Sequence, residues 1–134
     1  MITVIIPALN EEKTVAQVVS LVKQSKNVTE VIVVDDKSLD QTVEEAINAG
    51  ATVITSTKLG KGASMKDGAL VAKNDILVFL DADITSYSTD IITLLTQPLI
   101  EDAADFVKSY FTRQAGRVTE LVAKPLLSIL FPDF

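Results

Sequence analysis

Asp81-Ala82-Asp83 follows directly on the apolar run Ile76–Leu80. A run of that length and character reads as a buried strand, so both carboxylates fall where the chain leaves a sheet. Two carboxylates placed there can share one hard cation. Mg2+ or Mn2+ takes a small number of carboxylates and fills its remaining positions with water and phosphate oxygens. Such a cation can bridge a diphosphate and stabilise charge as it departs. Asp83 and Asp81 are the candidate metal ligands on this reading. The plain alternative is that one aspartate caps the next helix and the other is solvated.

Asp35-Asp36 ends a second apolar run, Val31–Val34, in the same way. A carboxylate here can accept a hydrogen bond from a nucleobase N–H or a ribose hydroxyl, or serve as a turn former with Lys37-Ser38. Gly60-Lys61-Gly62 places a cation in a flexible loop at a helix start, where outward backbone N–H groups also suit a phosphate. The spacing is not that of a Walker loop, and no G-x-G-x-x-G follows the first strand, which disfavours an NAD-type dinucleotide site. Gly116-Arg117-Val118-Thr119 brings Arg117 and Thr119 near a further helix start, where they can hold a phosphate or carboxylate; equally, Arg117 can pair with Glu101 or Glu120.

The elements that must position these clusters alternate. Ile2–Ile6 reads as a strand closed by Pro7, and Asn10 as the cap of a helix with Glu11 and Glu12 in its first turn and Val15, Val18, Val19 and Val22 on one face. Val31–Val34 is the next strand, followed by a helix capped by Asp40, running through Asn48 and stopped by Gly50. Thr52–Ile54 is a strand, Gly60 to Lys73 a helix and Ile76–Leu80 a strand. A helix around Thr89–Leu95, a strand around Asp105–Tyr110 and a helix over Val118–Leu130, interrupted by Pro125, complete the pass. Alternation at this spacing predicts an α/β fold: a mostly parallel sheet with helices on both faces, formed as one unit over residues 1–134. In such a sheet, ligands bind beyond the carboxyl ends of the strands, the rim to which Asn10-Glu11, Asp35-Asp36, Gly60–Gly62 and Asp81–Asp83 all belong.

Composition narrows the partners. The chain has 134 residues with 48% apolar and 22% charged, and it contains neither cysteine nor histidine. Disulfides and thiolate or imidazole metal sites are therefore excluded, and a reducing, cytoplasmic setting is expected. A net charge of −6 argues against nucleic-acid binding. The apolar runs are too short for a membrane helix, and no signal peptide is visible, so a soluble protein is expected.

Taken together, Val4-Ile5-Ile6-Pro7-Ala8-Leu9-Asn10-Glu11, Val33-Val34-Asp35-Asp36-Lys37-Ser38-Leu39-Asp40 and Asp81-Ala82-Asp83 resemble the family 2 glycosyltransferases, whose fold is of the glycosyltransferase-A type. Gly60-Lys61-Gly62, Val107-Lys108-Ser109-Tyr110 and the stretch from Gly116 to Leu127 resemble a retaining branch, the glucosyl-3-phosphoglycerate synthases. The resemblance implies that Pro7, Ala8, Leu9, Glu11 and Asp36 line a nucleoside pocket, with Lys61, Asp81 and Ala82 beside the donor nucleotide. It implies metal at Asp83 and Asp81, and acceptor binding by Gly116, Arg117 and Thr119. The implied reaction moves glucose from a UDP- or GDP-sugar to a phosphorylated small acceptor, 3-phosphoglycerate, with Mg2+ and retention of configuration.

Two departures qualify this. Asp36 stands where the narrower branch often carries serine, and the branch continues beyond residue 134 to a metal-binding histidine that this chain lacks. The expectation is an N-terminal, donor-binding part, with the acceptor part missing or truncated. An alternative is a non-catalytic nucleotide-sugar-binding module or subunit that needs a partner chain, and exposed sheet edges would favour homo-oligomers. A sugar-phosphate nucleotidyltransferase is rejected, because the position after the first strand reads Pro7-Ala8-Leu9-Asn10-Glu11 rather than a basic glycine loop.

Overall fold

Alternating side chains on the first strand decide the architecture. In β1 (Ile2–Ala8), Ile2, Val4, Ile6 and Ala8 point to one face and are buried in one apolar cluster, while Ile5 points to the other. A strand apolar on both faces must be covered on both. The computed structural model describes residues 1–110. The elements are β1, α1 (Val15–Lys23), β2 (Val28–Asp35), α2 (Thr42–Asn48), β3 (Thr52–Thr55), α3 (Lys61–Val71), β4 (Ile76–Phe79) and α4 (Ile91–Ile100). The four strands are parallel in the order β3-β2-β1-β4. The expected α/β class is what forms.

The two faces are built differently. Val15, Val18, Val19 and Val22 of α1, Ala46 of α2 and Ile92 of α4 pack on Val4, Ile6, Val31, Val33 and Val78. On the opposite face α3 covers Ile5, Ile32 and Val34 with small residues. Gly68 permits this approach: a Cβ there would lie 2.5 Å from Ile5 Cγ2 and 3.0 Å from Val34 Cγ2. Gly50, at φ 90°, ends α2 as expected. Its N–H donates to Ile47 O and that of Ala51 to Ala46 O, the paired bonds of a Schellman turn.

Strand order 3-2-1-4 reverses direction between β1 and β4, and such a switch is where a parallel sheet opens a cleft. Pro7 sits beside it. The sequence predicts a stop at this proline, yet β1 continues to Ala8. Leu80 N–H donates to Ile5 O on the β4 side, and Asp36 N–H donates to Ala8 O on the β2 side. By alternation the nitrogen of Pro7 faces the β4 side, beyond Phe79, where β4 has ended. The missing N–H costs no ladder bond there.

Other expectations are corrected. Asn10 does not cap α1: it adopts φ 53°, a left-handed conformation that asparagine tolerates, and its carboxamide reaches the neighbouring loop. α1 starts only at Val15, and neither Glu11 nor Glu12 lies in its first turn. Helix α4 runs through Pro98 to Ile100 rather than ending near Leu95. Residues 105–110 form no strand, although β4 is an edge strand whose outer side is unpaired among the described residues. Gly116, Arg117, Thr119 and the helix expected over Val118–Leu130 lie outside the described residues. Among the described residues, no helix is long and apolar enough to cross a membrane.

Candidate functional site

The loops after β1 and β2 are tied to each other. Asn10 N–H donates to Ser38 Oγ at 2.9 Å, and Leu39 N–H donates back to Asn10 Oδ1 at 2.8 Å. Glu11 N–H donates to Thr42 Oγ1 at 2.8 Å, Glu12 N–H to Asp40 Oδ2 at 3.2 Å and Gln41 N–H to Glu12 Oε2 at 3.0 Å. Thr42, buried at the start of α2, also donates its hydroxyl to Asp40. Partial desolvation opposes ionisation of Asp40. The bonds from the Thr42 hydroxyl, Thr42 N–H and Glu12 N–H outweigh it and hold the carboxyl below its usual range. Asp40 thus receives the first N–H of α2 (3.0 Å to Thr42 N), although Gln41 occupies the cap position. This clasp places Pro7, Ala8, exposed Leu9 and half-buried Glu11 along one lip of the rim.

Asp35 and Asp36 divide the two roles that the sequence offers. Asp35 is the turn former: its carboxylate accepts the Ser38 N–H at 3.2 and 3.3 Å, with Lys37 left-handed at φ 64°. Asp36 turns inward. It is 8% exposed, its Oδ2 accepts the Gly60 N–H at 2.8 Å, and its buried Oδ1 has no partner among the described residues. Buried carboxylate oxygens without partners are uncommon and point to a missing group.

Gly60 joins this lip to the next. Its φ of 107° is open to glycine and unfavourable for other residues, and α3 begins at Lys61. The preceding loop is anchored to α3 by Asp67, whose carboxylate accepts the Thr57 N–H at 2.7 Å and the Thr57 hydroxyl at 2.9 Å. These two bonds hold the Asp67 carboxyl below its usual range. The Lys61 ammonium is paired with Asp81 Oδ1 across the cleft. Their side chains are 61% and 37% exposed, so the pair contributes little stability and can exchange partners readily.

Beyond β4 the chain turns sharply. Ala82 is buried, Asp83 faces solvent, and neither Asp81 nor Asp83 caps a helix, since Asp90 occupies the α4 cap position. Tyr87, which the sequence reading passes over, accepts the Asp81 N–H at 2.9 Å. Burial raises the Tyr87 phenol above its usual value; the Asp81 N–H bond opposes this, and the charges of Asp81 and Asp83 add to it. Its only sequence signal is an aromatic residue within a serine- and threonine-rich loop.

The structure therefore links Asp36 to Gly60 and Lys61 to Asp81 across the switch between β1 and β4. A cavity of about 480 Å3 adjoins them, lined by Pro7, Lys61, Asp81, Tyr87 and apolar residues that include Ile91 and Leu99. Asp83 and Asp81 suit a hard divalent cation that draws its other ligands from water and a diphosphate. Among the described residues, no third Asp, Glu, His or Cys joins them in a cluster.

A doubly wound α/β sheet with a polar cleft at its switch point is the class that these features define. The chain belongs to glycosyl transferase family 2, whose family model matches residues 3–122. It is 34% identical to glucosyl-3-phosphoglycerate synthase of Mycolicibacterium smegmatis, over 98% of this chain and 51% of that protein. Over 62% of its length it is 40% identical to 4,4'-diaponeurosporenoate glycosyltransferase of Staphylococcus haemolyticus, covering 24% of that protein. Among solved structures it is similar to Mycobacterium tuberculosis glucosyl-3-phosphoglycerate synthase in complex with Mn2+, UDP-glucose and phosphoglyceric acid. There the TM-score is 0.85 at 36% identity, over 98% of this chain and 51% of that one. The same enzyme with Mg2+ and UDP matches at TM-score 0.81 and 35% identity, over 98% of this chain and 50% of that one. The chain spans about half the length of the synthases it matches.

Proposed function

We propose that this chain binds a nucleoside diphosphate sugar across the rim and transfers its sugar, glucose, to a phosphorylated small acceptor, 3-phosphoglycerate, in the presence of Mg2+ or Mn2+. The observation that carries the reading is the line of contacts from Asp36 through Gly60 and Lys61 to Asp81. It is supported by the ligands of the similar synthase structures, Mn2+ or Mg2+ with UDP-glucose or UDP, and phosphoglyceric acid.

Each residue has a chemical task in this scheme. Pro7, Ala8, Leu9 and Glu11 wall the nucleoside, and Asp36 Oδ1 accepts an N–H of the base. That contact would remove the cost of a buried, unpartnered oxygen, about 1–3 kcal/mol. Lys61 leaves Asp81 for the diphosphate and neutralises part of its charge. A cation held by Asp83 and Asp81 would supply further stabilisation of the departing diphosphate. The acceptor hydroxyl forms the new bond to the anomeric carbon as the bond to the diphosphate breaks, and its proton passes to the leaving phosphate. Gly116, Arg117 and Thr119 would hold the acceptor.

Asp36 also bears on the base. One of its oxygens is taken by Gly60, leaving a single acceptor, which suits the lone ring N–H of uracil better than the adjacent N–H donors of guanine. Calorimetric titration with UDP-glucose and GDP-glucose, with and without Mg2+, tests the scheme. The expected result is Mg2+-dependent binding of UDP-glucose in preference to GDP-glucose, with the Mg2+ dependence lost in Asp83→Ala. If neither donor binds, the reading fails. Donor binding without glucosyl transfer to 3-phosphoglycerate would instead define a nucleotide-sugar-binding module.

A further inference from the structure

Tyr87 lies between β4 and α4, outside every role assigned so far. Its ring packs against the buried cluster that contains Leu80, Ala82 and Ile92, and its hydroxyl oxygen accepts the Asp81 N–H at 2.9 Å. Leu80 N–H still donates to Ile5 O at 3.1 Å, the last bond of the β1–β4 ladder, and the Asp81 N–H follows directly on it. Without the phenol, a part-buried backbone donor would lack a partner, and the turn would have no fixed direction. We infer that Tyr87 is the positioning residue of the Asp81-Ala82-Asp83 turn, its hydroxyl fixing the backbone so that both carboxylates face a cation-bound diphosphate.

The buried Ala82 methyl and the Asp81 N–H bond are two anchors on successive residues, with the ligating side chains on either side of Ala82. An anchored turn presents its carboxylates at a set separation, whereas a free one must be ordered when the cation binds. Groups that orient metal ligands in this way typically change metal affinity by about ten- to a hundredfold when removed.

The inference rests on the proposed donor site, and the test separates the two. Tyr87→Phe keeps the packed ring and removes only the hydroxyl. Free Mn2+ is followed by electron paramagnetic resonance as the 134-residue chain is added, with and without UDP-glucose. Mn2+ affinity is expected to fall about tenfold or more. The metal-free affinity for UDP-glucose should stay at its wild-type value while the melting temperature falls only as far as one unpartnered N–H requires, a split that a merely structural role does not explain. Wild-type Mn2+ affinity in Tyr87→Phe overturns the inference and leaves the donor site standing. A wild-type chain that takes up neither Mn2+ nor UDP-glucose overturns both. Should Tyr87→Phe fail to fold, Tyr110→Phe leaves Tyr87 as the sole tyrosine of a chain without tryptophan. Paramagnetic Mn2+ with UDP-glucose is then expected to remove most of its fluorescence, and unchanged emission overturns the inference.

Discussion

The two lips of the rim are held in opposite ways. On the side of Asp36, loops from β1 and β2 exchange hydrogen bonds in both directions, with Asp36 buried and Asp40 and Glu12 half-buried. On the side of Asp81, an exposed ion pair spans the gap and Asp83 stands in solvent. A fixed lip suits a part of a ligand that never changes, such as a base and ribose. A loosely held lip suits charges that must be re-paired when a diphosphate arrives and again when it leaves. On the proposed donor site, the contrast makes low interaction strength itself functional.

The largest expected effect would break the comparison by disturbing both lips together. Gly68→Ala puts a methyl against Ile5 and Val34, pushing α3 and therefore Gly60 and Lys61 outward. A loss of about 1–3 kcal/mol is expected in urea denaturation, together with weaker donor binding. Thr42→Val breaks the fixed lip alone, stranding the Glu11 N–H. It should cost about 1–2 kcal/mol and weaken UDP-glucose binding while leaving the Mn2+ enhancement in place.

Acid sharpens the same contrast. Asp40 is held below the ordinary 3.8 by its hydrogen bonds in the fold. Its contribution to stability is therefore complete above that ordinary value and disappears as pH falls through the lower folded-state value. Melting temperatures measured down this range should fall more steeply for the wild type than for Asp40→Asn. Lys61→Ala should have the smallest effect on stability, within about 0.5 kcal/mol. Yet it should weaken UDP-glucose binding about tenfold, since a charge-assisted bond to a phosphate contributes about 1.5–3 kcal/mol. Wild-type affinity in Lys61→Ala would show that the exposed lip is idle.

How far the sequence could be read follows from what each feature depends on. Strands β1, β2 and β4 were legible because apolar, β-branched runs are set by burial on both faces, and the acidic residues that end them marked the rim. Which of the two buried carboxylates, Asp35 or Asp36, would meet the Gly60 loop is not legible, since it depends on Lys37 going left-handed and on Gly60 arriving from a different loop. Asn10 looked like a helix cap because caps are judged from neighbours in the chain, whereas its partners, Ser38 and Leu39, come from the next loop. Tyr87 was missed for the same reason: a single hydroxyl meeting one backbone N–H leaves no pattern.

Pro7 carries a consequence for the depth of the mouth. An amide-bearing residue in its place would offer Leu80 a donor and invite the neighbouring strand to zip one step further, at about 3.3 Å per residue. The recess beside Lys61 would grow shallower by that step. A single imino acid thus acts as a depth gauge, setting how far zipping proceeds before the two strands part around whatever enters.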